Sequence, residues 1–422
     1  MHFIFMTLSH KSSTRWLRLL TVLAPVLLLW GIPEVIVRLA DPVLQQYRAI
    51  YFGNDTNSPA LFIQDPALYW KLRPHVSLQF RGVKVQTNMD GCRASDFATN
   101  CRNILCIGDS TTFGWGVEGP ECFTSILEKL LNESAGTNTH WQVINAGVPG
   151  YSSYQMRLAA TELISRWQPE VVIVCAGNND SWPAAQSDRA IGESQRWMIR
   201  FQNIMSYSRF AIWLREAVNP QSPRPFIAES LTGASPRVST ADFTNNIRQL
   251  ITGANEKRAQ VIVMEPPVNL YKPPFVSRKL PDLDLWADWC RDVYRLANNG
   301  KADEAIDAAE AQLRTTPRNV YALWLKGYAM TAAGRIREGR EYLELALECH
   351  PFPEGCRRTY REFLSKVAGE QGCGYLSVNQ LLLAEEIKQG PMGRMYLDPC
   401  HPTPEGHKLI AYALKDMIKG QQ

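Results

Sequence analysis

The stretch Asn103-Ile-Leu-Cys-Ile-Gly-Asp-Ser-Thr-Thr112 decides the fold of this chain. Its four consecutive apolar residues, Ile104 to Ile107, predict a strand that is buried on both faces of a parallel sheet. The strand stops at Gly108-Asp109-Ser110, which places a hydroxyl group at the carboxyl end, where open α/β sheets bind ligands. A serine there needs a base before it can attack a substrate. A candidate base stands near the other end of the chain, in Asp398-Pro-Cys-His401.

Apolar runs alternate with helical patterns along the rest of the chain. Besides residues 103–107, the runs that predict strands are residues 141–145, 171–175, 261–264 and 374–378. Apolar residues recur at helical spacing in residues 121–131 and 154–167. Residues 178–238 are expected to form substrate-side loops with a helix around residues 211–216. Thr403 and Pro404 suit the N-cap and the first position of a last helix. Such alternation predicts a parallel sheet that is covered by helices on both faces.

Length, composition and charge describe an ordinary globular chain. Its 422 residues are enough for two or three domains, and 45% hydrophobic with 20% charged residues is typical. The net charge of +4 is small and the basic residues are scattered, which argues against a nucleic-acid partner. The chain has no glycine-rich phosphate loop and no CxxC pair. We therefore expect no cofactor and no metal.

The N-terminal region predicts a membrane anchor. Residues 16–37 are almost wholly apolar, about the 20 residues that a bilayer requires. Lys11, Arg15 and Arg18 bias the N-terminus toward the cytoplasm, so the rest of the chain would lie outside, in the periplasm of a bacterium. The alternatives are a cleaved signal peptide and a buried helical hairpin. Arg38 two positions before Ala40 makes a poor cleavage site, which favours an uncleaved anchor.

Ten cysteines are compatible with an oxidising compartment. Cys92 with Cys101 is the favoured pair, and Cys349 with Cys356 is a second one. Cys106 and Cys175 lie within apolar runs and are expected to be buried as small hydrophobic side chains.

A repeat interrupts the α/β pattern before the last strand. Pro317 and Pro351 are 34 residues apart, as are Gly300 and Gly334. This period resembles that of the tetratricopeptide repeat family, although two ordinary helical hairpins would give a similar pattern. Two copies are fewer than the roughly three that a solenoid needs, so we expect them to pack on the α/β domain or on a following helix at residues 355–367.

The chain also resembles the SGNH, or GDSL-type, hydrolase family over roughly residues 103–265 and 370–418. Four family blocks occur in order: Gly108-Asp109-Ser110, Asn145-Ala-Gly-Val-Pro-Gly150, Gly177-Asn-Asn179-Asp180 and Asp398-Pro-Cys-His401. The resemblance implies a three-layer, doubly wound (flavodoxin-like) parallel sheet of five strands. The helical-repeat insertion and the N-terminal transmembrane helix are additions to that fold.

The resemblance also implies a role for each block. Ser110 would be the nucleophile, His401 its base and Asp398 the acid that orients the histidine. The oxyanion would be met by the amides of Ser110 and Gly150 and by the side chain of Asn179, with Gly147 as a rival to Gly150. The alternative roles are structural: a helix cap at Ser110, a surface histidine at His401 and a simple turn at Asn179-Asp180. Asp180 is expected to cap locally whichever role Asn179 has. Asp109 is expected to order the nucleophile turn, and Cys400 is not expected to act as a thiol nucleophile.

The predicted organisation follows from these patterns. It comprises a cytoplasmic tail and anchor (residues 1–40), an N-terminal extension (41–100), a hydrolase domain in two parts (101–284 and 357–422) and a tetratricopeptide-like insertion (285–356). The expected activity is serine-dependent hydrolysis of carbohydrate or lipid esters outside the cytoplasm, with a possible protein partner on the repeats. The alternatives are an O-acyltransferase with the same triad and a membrane-tethered scaffold with a vestigial hydrolase core.

Overall fold

The fold is described by a computed structural model. It describes residues 21, 23–40, 61–65, 67–96, 98, 100–134, 140–194, 197, 201, 205, 208–218, 233–274, 283–390 and 392–419. The strands in this part are β1 (Phe62–Asp65), β2 (Tyr69–Leu72), β3 (Ser77–Phe80), β4 (Val83–Gln86), β5 (Arg102–Gly108), β6 (Trp141–Gly147), β7 (Val171–Cys175), β8 (Pro183–Ala184), β9 (Ser235–Pro236), β10 (Gln260–Met264) and β11 (Gly374–Leu376).

Fourteen α-helices are described in the same residues, together with a 3₁₀ turn at Gly119–Glu121. They are α1 (Leu23–Ala40), α2 (Ser110–Phe113), α3 (Phe123–Ser134), α4 (Ser153–Trp167), α5 (Asp188–Ser194), α6 (Arg209–Val218), α7 (Thr240–Glu256), α8 (Leu283–Asn298), α9 (Ala302–Thr315), α10 (Val320–Ala332), α11 (Ile336–Cys349), α12 (Arg358–Glu370), α13 (Val378–Gln389) and α14 (Pro404–Lys419). A π-helical turn at Leu27–Gly31 lies within α1.

The central sheet has five parallel strands in the order β6-β5-β7-β10-β11. This is the doubly wound, flavodoxin-like order that the sequence predicts. The chain leaves β5 toward one side for β6 and then crosses back to β7, so the topological switch lies between β5 and β7. Ligands of such sheets bind outside the carboxyl ends of the strands at this switch. The segments after β5 and β7 therefore meet at the predicted catalytic edge.

Alternate side chains of β5 build the two halves of the core. Ile104 and Cys106 are buried on one face with the apolar residues of α3 and α14. Leu105 and Ile107 are buried on the other face with α4 and α7. Each such aliphatic side chain contributes about 1.5–3 kcal/mol when it leaves water. A strand buried on both faces explains the uninterrupted apolar run of residues 104–107.

The predicted strands are all present, with ends that differ by up to two residues. β6 extends to Gly147, beyond the predicted residue 145, because it pairs with β5 as far as Gly108. β11 ends at Leu376, before the predicted residue 378, because Val378 begins α13. The helix after the repeats begins at Arg358 and not at residue 355, since the backbone N–H of Cys356 is bonded to Asn178 at the catalytic edge.

The insertion consists of two helical hairpins, α8–α9 and α10–α11. Gly300 and Gly334 occupy matching positions between the helices of each hairpin with φ values of 78° and 80°, a left-handed conformation that favours glycine. The hairpins pack on the α/β domain, as expected: the indole Nε1 of Trp324 donates to the carbonyl of Leu270 at 2.9 Å. Their assignment to the tetratricopeptide family stays a prediction.

The N-terminal extension forms two antiparallel hairpins, β1–β2 and β3–β4. Trp70 joins the first hairpin to the loop after β6, because its indole donates to the carbonyl of Pro149 at 3.0 Å and its carbonyl accepts from the Tyr151 hydroxyl at 2.7 Å. The extension is therefore part of the surroundings of the catalytic edge.

Helix α1 is long and apolar enough to cross a membrane. Its apolar side chains are exposed, including Leu28, Leu29, Ile36 and Leu39. The lysine and arginines that precede it lie outside the described residues.

The two predicted disulfides are wrong, because none joins any of the ten cysteines. Cys92 lies in the apolar core, where burial raises its thiol pKa to about 12. Cys356 is completely buried with its sulfur against Gly177 at the catalytic edge, rather than facing Cys349.

Candidate active site

Ser110 lies at the junction between β5 and α2. The carboxylate of Asp109 caps α2 by accepting the backbone N–H of Thr111 at 2.8 Å. Ser110 is therefore the first residue of a short helix, with its own N–H group at the positive end of that helix. Asp109 orders the turn, which is the structural role that the sequence predicts for it.

Asp398 and His401 form a closed turn before α14. One carboxylate oxygen of Asp398 accepts the backbone N–H groups of Cys400 and His401, both at 3.0 Å, and the other lies 2.6 Å from His401 Nδ1. Burial raises the pKa of Asp398, but the hydrogen bond and charge of His401 and the two amides outweigh it and hold the pKa below its usual value. Asp398 is thus held as a carboxylate that orients the imidazole.

The turn brings His401 to Ser110 across 291 residues of sequence. His401 Nε2 lies 2.7 Å from Ser110 Oγ. When Nδ1 donates its proton to Asp398, Nε2 carries the lone pair and can accept the serine hydroxyl. The cap of α14 holds this turn in place, since Thr403 Oγ1 accepts the N–H of Gly406 at 3.3 Å, as the sequence predicts.

The loop after β6 contains one backbone N–H group that has no acceptor in the part of the chain that the structure describes. The N–H of Gly147, the rival donor, is already bonded to Asn145 Oδ1 at 3.0 Å. The N–H of Gly150 has no hydrogen-bond acceptor among the described residues. Its carbonyl oxygen accepts from Arg237 Nη1 at 2.7 Å, which restrains the loop. Of the two glycines, the contacts favour Gly150 as a donor to a substrate.

Asn179 lies beside the loop that carries Gly150. Its amide nitrogen donates to the carbonyl of Tyr151 at 2.9 Å and to the second carboxylate oxygen of Asp109 at 3.3 Å. The second bond is long for N–H···O, so it is the weaker of the two. Asn179 therefore connects the first block to the residue that follows the second block, and an oxyanion would compete with Asp109 for one of its two protons.

Two further carboxylates are buried at the same edge. Burial raises the pKa of Asp109 to about 6 and that of Asp180 to about 7. Asp180 accepts both the backbone N–H and the hydroxyl of Ser153, at 3.1 and 2.5 Å. It therefore caps α4 from a distance, so the expectation of a local cap at Asp180 is wrong.

Arg237 is a site residue that the sequence does not reveal. Its buried guanidinium bonds both carboxylate oxygens of Asp188, at 3.1 and 2.9 Å, and Gln155 Oε1 at 2.7 Å, besides the carbonyl of Gly150. It follows β9, in a stretch where no apolar period or motif is present. Arg237 is recognised only in the folded structure, because a buried arginine is rare.

An aromatic side chain, that of Trp115, packs against His401. The ring of Trp115 stacks on the imidazole with centroids 5.6 Å apart and planes at 20°, and the guanidinium of Arg81 lies 4.8 Å from the Trp115 ring. Arg81 belongs to the turn between β3 and β4, so the N-terminal extension reaches the site through Trp115. The proximity of Trp115 to Ser110 in sequence is the signal that could have identified it.

Asp398, Cys400 and His401 are the three potential metal ligands that cluster in the described residues. Asp398 and His401 already use their facing atoms on each other. Burial raises the pKa of the Cys400 thiol well above its usual value, which disfavours the thiolate that a metal or a nucleophilic role requires. Asp398 and His401 are therefore a hydrogen-bonded pair with the Cys400 thiol beside it.

Several solved structures of esterases are similar to this chain. An acetyl xylan esterase, AlAXEase, has a TM-score of 0.39 at 12% identity, covering 75% of this chain and 99% of that one. A catalytic mutant of an acetylxylan esterase from Geobacillus stearothermophilus has a TM-score of 0.37 at 12% identity, covering 74% and 92%. A lipolytic protein of the G-D-S-L family from Veillonella parvula DSM 2008 has a TM-score of 0.35 at 13% identity, covering 75% and 97%.

Comparison by sequence identifies the family. No curated protein sequence matches the chain. The profile of the GDSL-like lipase/acylhydrolase family matches residues 106–335, from the middle of β5 to the second helical hairpin. Since this is more than half of the chain, the protein belongs to the GDSL-like lipase/acylhydrolase family and is a hydrolase of ester bonds.

Proposed function

We propose that the protein is a serine esterase in which Ser110 forms an acyl-enzyme. The observation that carries the proposal is the hydrogen-bonded series of Asp398, His401 and Ser110, with separations of 2.6 and 2.7 Å. Both separations are within the reach that a nucleophile, its base and the group that orients the base need. The burial of Ser110 and His401 strengthens these interactions by excluding water.

The reaction would proceed in two steps. His401 Nε2 takes the hydroxyl proton as Ser110 Oγ attacks the ester carbonyl, and Asp398 stabilises the imidazolium that forms. His401 then returns this proton to the leaving alcohol, and the acyl group remains on Ser110. In the second step His401 takes a proton from water as the water oxygen attacks the acyl carbonyl. It then gives this proton to Ser110 Oγ as the acyl C–O bond breaks, which releases the acid and free Ser110.

The oxyanion of each tetrahedral intermediate would be met by three donors. These are the N–H groups of Ser110 and Gly150 and the side-chain amide of Asn179. The free N–H of Gly150 supports this assignment, and so does the long bond from Asn179 to Asp109, which can be exchanged for a bond to the oxyanion. Donors that are placed before the reaction need no reorganisation when the charge develops.

The substrates that we propose are acyl or acetyl esters of carbohydrates or lipids. The family to which the chain belongs supports this class, because lipases and acylhydrolases act on acyl esters. An O-acyltransferase would use the same residues and replace water with a sugar hydroxyl. The vestigial scaffold is disfavoured, because each proposed catalytic group is present and within hydrogen-bond distance of its partner.

We further propose that α1 is an uncleaved anchor and that the catalytic domain lies outside the cytoplasm. The contacts of Glu34 support this: its carboxylate accepts the N–H groups of Arg209 and Phe210 at 3.0 and 2.9 Å. Cleavage near Ala40 would remove this carboxylate from the start of α6. A signal peptide has no reason to make such contacts with the mature chain.

Hydrolysis of p-nitrophenyl acetate by the purified full chain tests the esterase proposal. We expect turnover by the wild type and by Ser125→Ala, a control at an exposed serine, and none above background by Ser110→Ala. Equal turnover by Ser110→Ala would contradict the proposal. Added sugar alcohols separate the two reactions of the acyl-enzyme, since a transferase would yield the sugar ester in place of acetate.

A reporter enzyme fused after Gln422 tests the orientation. The account predicts activity only for a reporter that works outside the cytoplasm. Activity of a cytoplasm-specific reporter would contradict the anchor and its orientation, and would leave the esterase assignment unaffected.

A further inference from the structure

The helix α6 is attached to the apolar helix α1. Glu34 Oε2 accepts the hydroxyl of Ser208 at 2.6 Å and the N–H of Phe210 at 2.9 Å, and Oε1 accepts the N–H of Arg209 at 3.0 Å. A carboxylate at this position satisfies backbone donors that a helix start leaves open and interacts favourably with the helix dipole. Arg38 holds the same carboxylate from one turn further along α1, at 2.7 Å.

Aromatic contacts extend this attachment along one face of α6. Trp30 of α1 meets Phe210 edge-on with ring centroids 5.2 Å apart, and Phe210 stacks on Trp213 at 6.1 Å. Phe210, Trp213 and Leu214 have the spacing of one helix face. Trp213 and Leu214 nevertheless remain 47% and 41% exposed. The exposed apolar surface of α1 therefore continues onto α6.

We infer that α6 is an interfacial helix that lies in the surface of the same bilayer that α1 enters. The inference rests on the proposed anchor and commits to lipid as the occupant of the exposed face. Continuity with α1 argues for lipid, because the uncovered side chains of α1 and α6 adjoin each other. Tryptophan and phenylalanine on one face are also what a helix presents to the boundary between headgroups and acyl chains.

The charged residues of α1 and α6 lie where an interfacial helix would place them, at the membrane surface. Glu34 and Arg38 lie in the last two turns of α1, where an outward-running anchor leaves the hydrocarbon region. Arg209 adds a second cation there, with its guanidinium 3.4 Å from the carbonyl of Arg38. Trp197 and Phe201, which precede α6, are also exposed large apolar side chains. α6 thus gives the segment between β8 and β9 a membrane contact of its own, in addition to the anchor.

Quenching of tryptophan emission by brominated lipid tests the inference. The full chain is reconstituted in vesicles of phosphatidylethanolamine and phosphatidylglycerol, with and without lipids brominated high on the acyl chain. We expect Trp213→Phe to lose part of the quenched emission that the wild type shows. Trp141→Phe, a control at a tryptophan buried at the start of β6, is expected to retain all of it.

The outcomes of this experiment bear separately on the interfacial helix α6 and on the membrane anchor α1. If Trp213→Phe and Trp141→Phe retain equal quenching while the chain resists alkaline extraction from vesicles, the anchor stands and the interfacial helix is wrong. If the chain is extracted, the anchor itself fails. If Trp213 is unquenched and the reconstituted chain cross-links to a second copy through α6, the face is a protein interface and the inference is overturned.

Discussion

The catalytic edge of the sheet and the helical insertion use polar side chains in opposite ways. At the edge, Asp109, Asn179 and Asp180 are buried and bonded to one another or to backbone groups. In the insertion most ion pairs lie at the surface, such as Lys301–Glu304 and Arg335–Glu338. Burial of polar groups costs free energy unless every group is paired, whereas exposed pairs contribute about 0–1 kcal/mol. We therefore propose that the edge carries the chemistry and that the insertion contributes packing and solubility.

One buried cluster joins the two regions. Arg361 of α12 bonds Glu265 at the end of β10, at 3.4 Å, and Glu344 of α11 in the insertion. Its Nε also donates to the carbonyl of Cys356 at 3.1 Å. The insertion is thus tied to the catalytic edge by the same kind of contact that the edge itself uses.

The largest effect is expected at Asp398. Asp398→Asn keeps the size of the side chain but donates where a carboxylate accepted, which favours the wrong tautomer of His401. By analogy with other serine hydrolases, the turnover number should fall by about 10⁴-fold. Ester hydrolysis measures this, with Asp416→Asn at an exposed carboxylate as the control. A loss of tenfold or less would show that Asp398 does not orient His401.

The second largest effect is expected at Arg361, and it concerns the free energy of unfolding rather than the turnover number. Arg361→Met leaves Glu265 and Glu344 buried without their common partner, which should lower the free energy of unfolding by about 3–5 kcal/mol. Arg358→Met, in the same helix but 47% exposed, should cost less than about 1 kcal/mol. Urea denaturation measures both. Equal decreases in the free energy of unfolding for the two variants would contradict the assignment of Arg361 as the residue that connects the insertion to the edge.

Asn179→Ala should lower the turnover number by about 10²–10³-fold, the usual cost of removing one oxyanion donor. The Michaelis constant should change little, because the oxyanion exists only after attack. Asn245→Ala, at an exposed position on α7, is the matched control. An unchanged turnover number in a folded Asn179→Ala variant would leave Asn179 with only its bonds to Tyr151 and Asp109.

The smallest effect concerns pH. Burial raises the pKa of Asp180 from 3.8 to about 7, so the folded state binds a proton in this range that the unfolded state has released. The contribution of Asp180 to the free energy of unfolding of the wild type should therefore fall as the pH rises from about 4 to about 7. Asp180→Asn can still accept from Ser153 and lacks the charge. Its melting temperature relative to the wild type should rise across the same range, and a constant difference would contradict the raised pKa.

The two regions also differ in what the sequence could predict. The strands at the edge are local patterns, so β5 and β7 followed from sequence. The structure also brings the predicted Ser110, Asp398 and His401 within hydrogen-bond distance of one another, while their catalytic roles stay predictions. The helical hairpins followed from the 34-residue period. The contacts that join distant segments did not follow, because Arg237 and Arg361 acquire their roles only when the chain is folded. The disulfide predictions failed for the same reason, since spacing does not reveal which thiols the core buries.

The most direct test of the account is the reaction of the full chain with a fluorophosphonate probe, which labels serines activated by a neighbouring base. The account predicts one labelled peptide, which contains Ser110, with labelling lost in Ser110→Ala and strongly slowed in Asp398→Asn. Unchanged labelling of Ser110→Ala, or a label that maps to another serine, would contradict the assignment of Ser110 as the nucleophile.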